Sequence, residues 1–315
     1  MENLVTVARQ VAILFVLMGF GAAMRKAKFF KDNAIDGIVN VLILVVTPCL
    51  IIDVFQRPFD PSMLKGLGIA FALAVSIHIA LIVAVRAVVR HRNEDVRRPL
   101  LLAAVFSNAG FMGIPLSQAL LGDVGVFYSV VYVSVFNVVV WSWGVSAIRN
   151  APLRSLSWTE LRPMVANPGT LGLAFGLPFF FMSLRLPDAL GLPVRFLADL
   201  NTPLAMIVIG YYLAGARLGR MLRVGAAYQA AAFRLLGCPL TLVAALWALK
   251  SPLHLDHAMM IALVVSSAAP TAALPAMFAA RYGSDVSTSV GMVSGTTLLS
   301  IVTMPLVVAL ALAIL

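Results

Sequence analysis

Ser107-Asn108-Ala109-Gly110-Phe111-Met112-Gly113-Ile114-Pro115 lies in the middle of an apolar run from about Leu100 to Leu121. An ordinary membrane helix does not place an Asn, two Gly and a Pro at mid-depth. Proline removes a backbone donor and clashes with the preceding turn, and glycine loosens the helix further. In hydrocarbon the freed N–H and C=O groups must be satisfied by protein, water or a ligand. A second interrupted stretch, Ser267-Ala268-Ala269-Pro270-Thr271-Ala272-Ala273-Leu274-Pro275, repeats the eight-position spacing from Ser to Pro. Broken segments in corresponding places of two halves point to a binding site at the bilayer midplane.

The chain around that pair is 61% hydrophobic and 11% charged, with mean hydropathy +0.99. Soluble domains carry roughly 25% charged residues, so the composition implies an all-α polytopic membrane protein. Barrel strands would show short alternating segments, which are absent. Ten apolar segments are expected, at about 5–24, 34–55, 64–86, 100–121, 124–147, 168–184, 200–216, 225–249, 257–280 and 286–313. The stretch 149–167 is read as a cytoplasmic linker between a first half, 1–148, and a second, 168–315.

One set of alternate loops holds sixteen Lys and Arg, including Arg25, Lys31, Arg149, Arg217, Arg220 and Arg281, and the other holds five. The basic set is expected in the cytoplasm, with both termini periplasmic. The net charge of +10 then reflects topology, and no basic soluble domain is present to bind nucleic acid. The first apolar run precedes its positive cluster, unlike a cleavable signal. Five segments per half is an odd number, so the halves enter the membrane from opposite sides as an inverted repeat. Thr47-Pro48 and Thr202-Pro203, in segments two and seven, fall in the same register.

Asn108 offers both a donor and an acceptor at mid-depth. Ser107, Gly110, Ser267 and Thr271 are expected around the two breaks. Pro115, Pro270 and Pro275 expose helix N-termini, which attract anions, and carbonyls, which attract cations. Arg234 lies about nine residues into segment eight, roughly 14 Å deep. A guanidinium there binds a substrate carboxylate or bonds to carbonyls freed by a neighbouring break; both readings stay open. Asn137 is a further candidate binding residue. Asp53 reads as an interfacial carboxylate and His78 as a packing histidine. Cys49 and Cys238 show no metal spacing, and no cofactor is expected. No zinc-protease, nucleophile-elbow or phosphate-loop motif is present, so the chain does not read as an enzyme.

Asn108 to Leu116 resembles the "N-x-x-x-M-G-I-P-L" stretch of the auxin efflux carrier family. Pro270, Pro275 and Phe278-Ala279-Ala280-Arg281-Tyr282 resemble that family's second broken helix, and Arg234 to Pro239 its "R-x-x-x-x-P". Pro48 also matches. The long central loop of the plant carriers is missing, and Ser107 stands where they have a proline. The layout is similar to the bacterial branch, often described as malate or malonate permeases. The resemblance implies two inverted five-helix repeats with segments four and nine broken and crossing, as in sodium/proton antiporters and bile-acid symporters. It further implies a scaffold from segments 1, 2, 6 and 7, a mobile transport domain from segments 3–5 and 8–10, and often a homodimer. The expected function is secondary transport of a small organic anion, auxin-like or dicarboxylate, in a bacterial inner membrane. Sodium or a proton is a possible coupling ion. A sodium-coupled bile-acid-type carrier, or a sensor or channel on the same fold, is the alternative.

Overall fold

The computed structural model describes residues 2–29, 32–215 and 221–315. Lys31, Arg217 and Arg220, counted above among the cytoplasmic loops, lie outside the described residues. The first half runs α1 (Glu2–Lys26), α2 (Asp32–Val41), α3 (Thr47–Phe55), α4 (Pro61–Val88), α5 (Glu94–Val105), α6 (Ile114–Val139) and α7 (Val145–Arg149). A short helix, α8 (Trp158–Val165), occupies the linker. The second half runs α9 (Pro168–Phe181), α10 (Asp188–Asp199), α11 (Asn201–Ala214), α12 (Gly225–Ala232), α13 (Cys238–Leu253), α14 (His257–Ala268), α15 (Leu274–Arg281) and α16 (Val286–Ile314).

Among the described residues there is no strand. Six stretches are long and apolar enough to cross a membrane: Ala34–Phe55, Pro61–Val88, Ala109–Arg149, Asp188–Ala214, Gly225–Leu253 and Val286–Ile314. The chain is therefore a polytopic, all-helical membrane protein. Segments four and nine are not continuous helices: α5 stops at Val105 and α14 at Ala268. The Ala109–Arg149 stretch contains a sharp corner at Gly122, where φ is +63° and ψ −150°. Only glycine adopts that conformation without strain. The corner folds the two arms of α6 against each other, so that the Ser129 hydroxyl donates to Ser117 at 2.8 Å.

One expectation fails on the periplasmic side of the drawn topology. The connection before segment seven is not a loop but α10, which continues into α11 as one span. Arg195 and the flanking Asp188 and Asp199 interrupt the hydropathy there, although Leu190, Val194 and Leu197 keep a helical spacing.

Three prolines each follow a widened π-turn: Leu42–Val46 before Pro48, Ala109–Gly113 before Pro115, and Phe233–Gly237 before Pro239. A proline ring collides with the carbonyl four residues back. Widening the turn by one residue moves that carbonyl aside without ending the helix. The fourth π-turn, Val140–Gly144, has no proline beside it.

Glycine sets how closely the helices approach. At Gly21 an added Cβ would lie 2.0 Å from the Ile207 carbonyl oxygen, and at Gly210 1.9 Å from that of Met18. The α1 and α11 backbones therefore touch. Gly172 and Gly176 of α9 receive Ile51 and Phe55 of α3 in the same way. Elsewhere α14 packs along α6, where Gly113 brings the first break within 3.1 Å, measured from an added Cβ, of the Ser266 Cα.

Candidate functional site

The two interrupted stretches meet. Ser107 and Thr271 face each other across an isolated antiparallel bridge. The Asn108 N–H donates to the Pro270 carbonyl at 2.7 Å, and the Ala272 N–H to the Phe106 carbonyl at 3.0 Å. Two short extended segments thus pass each other between α5 and α6 on one side and α14 and α15 on the other.

Buried carbonyls at a broken helix end must find donors, and those at the end of α5 do. Leu102 receives the Phe106 N–H, Ala103 the Thr271 hydroxyl at 2.8 Å, and Phe106 the Ala272 N–H. The Ala104 carbonyl receives the Cys238 thiol and Arg234 Nη1, both at 3.4 Å. Val105 receives Arg234 Nη1 at 2.5 Å, and Arg234 Nη2 donates to the Ser267 carbonyl at the end of α14. One fully buried guanidinium therefore fastens the ends of both broken helices. Of the two readings of Arg234 from sequence, its position is that of the clamp. It does not line the cavity described below, so a direct substrate contact is not what this geometry offers.

A cavity of about 830 Å³ opens beside the crossing. One wall is formed by Ser107, Asn108, Gly110 and Phe111 of the first break with Ala272 to Leu274 of the second. Asn137 and Trp141 close one side, Val293 and Thr297 of α16 another, and Ile43, Thr47, Asn201 and Ile209 the facing wall. Of the residues expected at the site, Asn108, Ser107, Gly110 and Asn137 line it. Pro115, Pro270, Thr271, Pro275, Ser267 and Arg234 do not; they shape or hold the breaks behind it. The Thr271 hydroxyl is committed to Ala103.

The Asn108 amide, half-buried, makes no hydrogen bond among the described residues and faces the cavity. Beside it the first amides of the Ala109–Gly113 turn and of α15 lie ahead of their intrahelical bonds. Both helix starts present positive dipole ends where the cavity touches Gly110, Phe111, Ala273 and Leu274.

Among the cavity residues that sequence reasoning missed are two asparagines and an arginine. Asn201 is 4% exposed, and its amide nitrogen has no partner. Asn167 also lines the wall, but its side chain caps α9, accepting from Thr170 N at 2.9 Å. Arg25 is the one charged residue among the described lining residues. Asn201 adjoins the Thr202-Pro203 pair, where it reads only as a helix start. Nothing local marks Arg25 apart from the other loop cations.

A second polar group lies on the buried side of the crossing. His78 donates from Nδ1 to the Ala74 carbonyl at 2.7 Å, and its ring lies 5.0 Å from that of Tyr132. The Tyr132 hydroxyl is buried there beside those of Ser107 and Ser267, and the Ser266 hydroxyl and Arg234 Nε are buried without a protein partner. Among the described residues no cluster of His, Cys, Asp or Glu could hold a metal ion.

Residues 6–308 match the family model for membrane transport proteins. No curated protein matches the chain.

Proposed function

The chain belongs to the auxin efflux carrier family of membrane transport proteins, and from that premise we propose that it is a secondary carrier for a small organic anion, working by alternating access. The observation that carries the reading is the free Asn108 amide, set between two helix starts on the wall of a cavity where two broken helices cross. Amide donors and positive dipole ends favour a carboxylate.

The same proposal takes residues 1–148 and 168–315 as inverted five-helix repeats. Packing supports the division into two bodies: α1 lies along α11, and α3 against α9 and α10, as a scaffold. Helices α4 to α6 and α12 to α16 gather around the crossing as the moving part. By the Lys and Arg asymmetry, Arg25, Trp141, Tyr212, Gly215 and Met277 lie toward the cytoplasmic ends of their helices. The cavity they line is then open inward, with both termini in the periplasm.

The opposite side is closed by aromatic rings. Phe55 of α3 lies 4.7 Å from Phe127 of α6, and Phe127 lies 5.2 Å from Phe180 of α9, measured between centroids. All three are fully buried. The Arg57 guanidinium sits 4.9 Å over the Phe127 ring. Phe127 belongs to the moving part and the other three to the scaffold, so this plug must part for the site to face outward.

The fully buried Arg234 cation at the crossing repels a second cation beside it, which argues against sodium coupling there. The test is uptake of labelled phenylacetate, malate and succinate into proteoliposomes, with and without a sodium gradient. Saturable, sodium-independent uptake of at least one acid is expected. Linear uptake indistinguishable from empty vesicles for all three removes the carrier reading of this cavity.

A further inference from the structure

We propose that Arg25 is the capture cation of this carrier, meeting the carboxylate of an incoming organic anion at the cytoplasmic mouth before it passes inward to the crossing. The proposal rests on the carrier reading above. Arg25 lies in the last turn of α1, and its half-buried side chain lies across the last turn of α11. Nη1 donates to the Tyr211 carbonyl at 3.3 Å, and the guanidinium stands 4.8 Å over the Tyr211 ring. Gly215 makes room for it, since an added Cβ there would lie 2.1 Å from the Arg25 Cζ.

That seat fixes the side chain without neutralising it. A guanidinium carries five N–H donors, and one is given to Tyr211. Among the described residues no carboxylate comes within ion-pair distance of Arg25. It is also the single charged residue among those described in a largely apolar cavity wall, where low-dielectric walls strengthen its field.

Depth separates this cation from the amides. Asn201 begins α11, and Tyr211 stands ten residues farther along it, about 15 Å at 1.5 Å per residue. A short carboxylate cannot touch Arg25 and the deep amides together. Arg25 therefore acts on entry and not on the final bound state. A cation at the rim of a site alters the association rate and its salt dependence. An arginine that only anchors a helix end at the membrane surface alters stability and leaves both rates alone.

The test uses the purified full chain in nanodiscs and stopped-flow fluorescence of Trp141, which lines the cavity; the signal is identified by its loss in Trp141→Phe. The probes are phenylacetate, its neutral amide phenylacetamide, and succinate. Arg25→Gln should slow phenylacetate association about three- to tenfold at low ionic strength and flatten its salt dependence. Dissociation should be unchanged, Arg25→Lys should restore most of the rate, and phenylacetamide should be indifferent to both changes. Wild-type rates in Arg25→Gln, an equal loss for phenylacetamide, or an effect confined to dissociation would each overturn the capture role while leaving the carrier reading standing. If wild-type protein binds neither phenylacetate nor succinate, the anion-carrier reading fails, and the capture role falls with it.

Discussion

Replacing Phe127 by Leu should open the periplasmic side. The substitution keeps an apolar side chain at a fully buried position but removes the ring that Phe55, Phe180 and Arg57 share. Aromatic pairs contribute about 0.5–1.5 kcal/mol each beyond their area, and a cation–π contact about 0.5–1 kcal/mol. On the proposed division, the ring contacts to Phe55 and Phe180 and the Arg57 contact cross between scaffold and moving part. The neighbouring Phe127–Tyr128 contact lies within α6 and moves with it. The closed side then loses about 1.5 kcal/mol even at the lower end of these figures. That raises the outward-facing population about tenfold. A minor population is read best from the side it exposes. Gly110→Cys is a suitable reporter, because Gly110 lines the cavity and an added Cβ there meets nothing within 4 Å. With Cys49 changed to Ala, labelling by an impermeant maleimide from the periplasmic side should run about tenfold faster in Phe127→Leu. An unchanged rate in folded protein would show that the aromatic plug does not gate the site.

Three further outcomes follow from the geometry. Arg234→Met leaves the Val105 and Ser267 carbonyls without donors, at about 1–3 kcal/mol each, partly offset by no longer burying a cation; the melting temperature should fall from wild type through Arg234→Lys to Arg234→Met, and a Met variant as stable as wild type would refute the clamp. Gly210→Ala drives a Cβ into the Met18 carbonyl and should cost about 2 kcal/mol or more, whereas Gly37→Ala, with open space around it, should be neutral in the same melting experiment. A cysteine appended to the C-terminus should be labelled by impermeant reagent on intact spheroplasts; labelling only after lysis would reverse the topology and, with it, the inward-facing assignment.

The membrane class and the two breaks were legible because they violate the rules of an uninterrupted helix. Asn108, Gly110, Gly113 and Pro115 cannot sit at mid-depth in an ordinary span, and the structure uses them at the place where the chain stops being helical. The pairing of the breaks came from spacing and their meeting only from the family resemblance; the bridge between Ser107 and Thr271 is its physical form. Arg234 was found by its cost, since a cation at that depth demands partners, but the identity of the partners depended on which carbonyls the breaks released. Arg25 and Asn201 were not legible as cavity residues. A cation after an apolar run reads as a topology signal, and an Asn before Thr-Pro reads as a helix start. Arg25 joins the cavity wall where Gly215 of α11 leaves room for its guanidinium. The helix α10 was hidden for another reason: Arg195 and Asp199 depress the hydropathy of a segment whose apolar residues still keep helical spacing.

The central claim is that the Asn108 amide at the crossing holds the transported anion, and equilibrium binding of labelled phenylacetate to purified wild type and Asn108→Ala tests it most directly. The Asn108 side chain makes no hydrogen bond of its own among the described residues, and its backbone N–H, which joins the crossing, survives the substitution. The two proteins should therefore melt at the same temperature. A hydrogen bond to a charged group contributes about 1.5–3 kcal/mol, so binding should weaken about 10- to 150-fold. Equal affinity in two equally stable proteins would contradict the claim and place the site elsewhere.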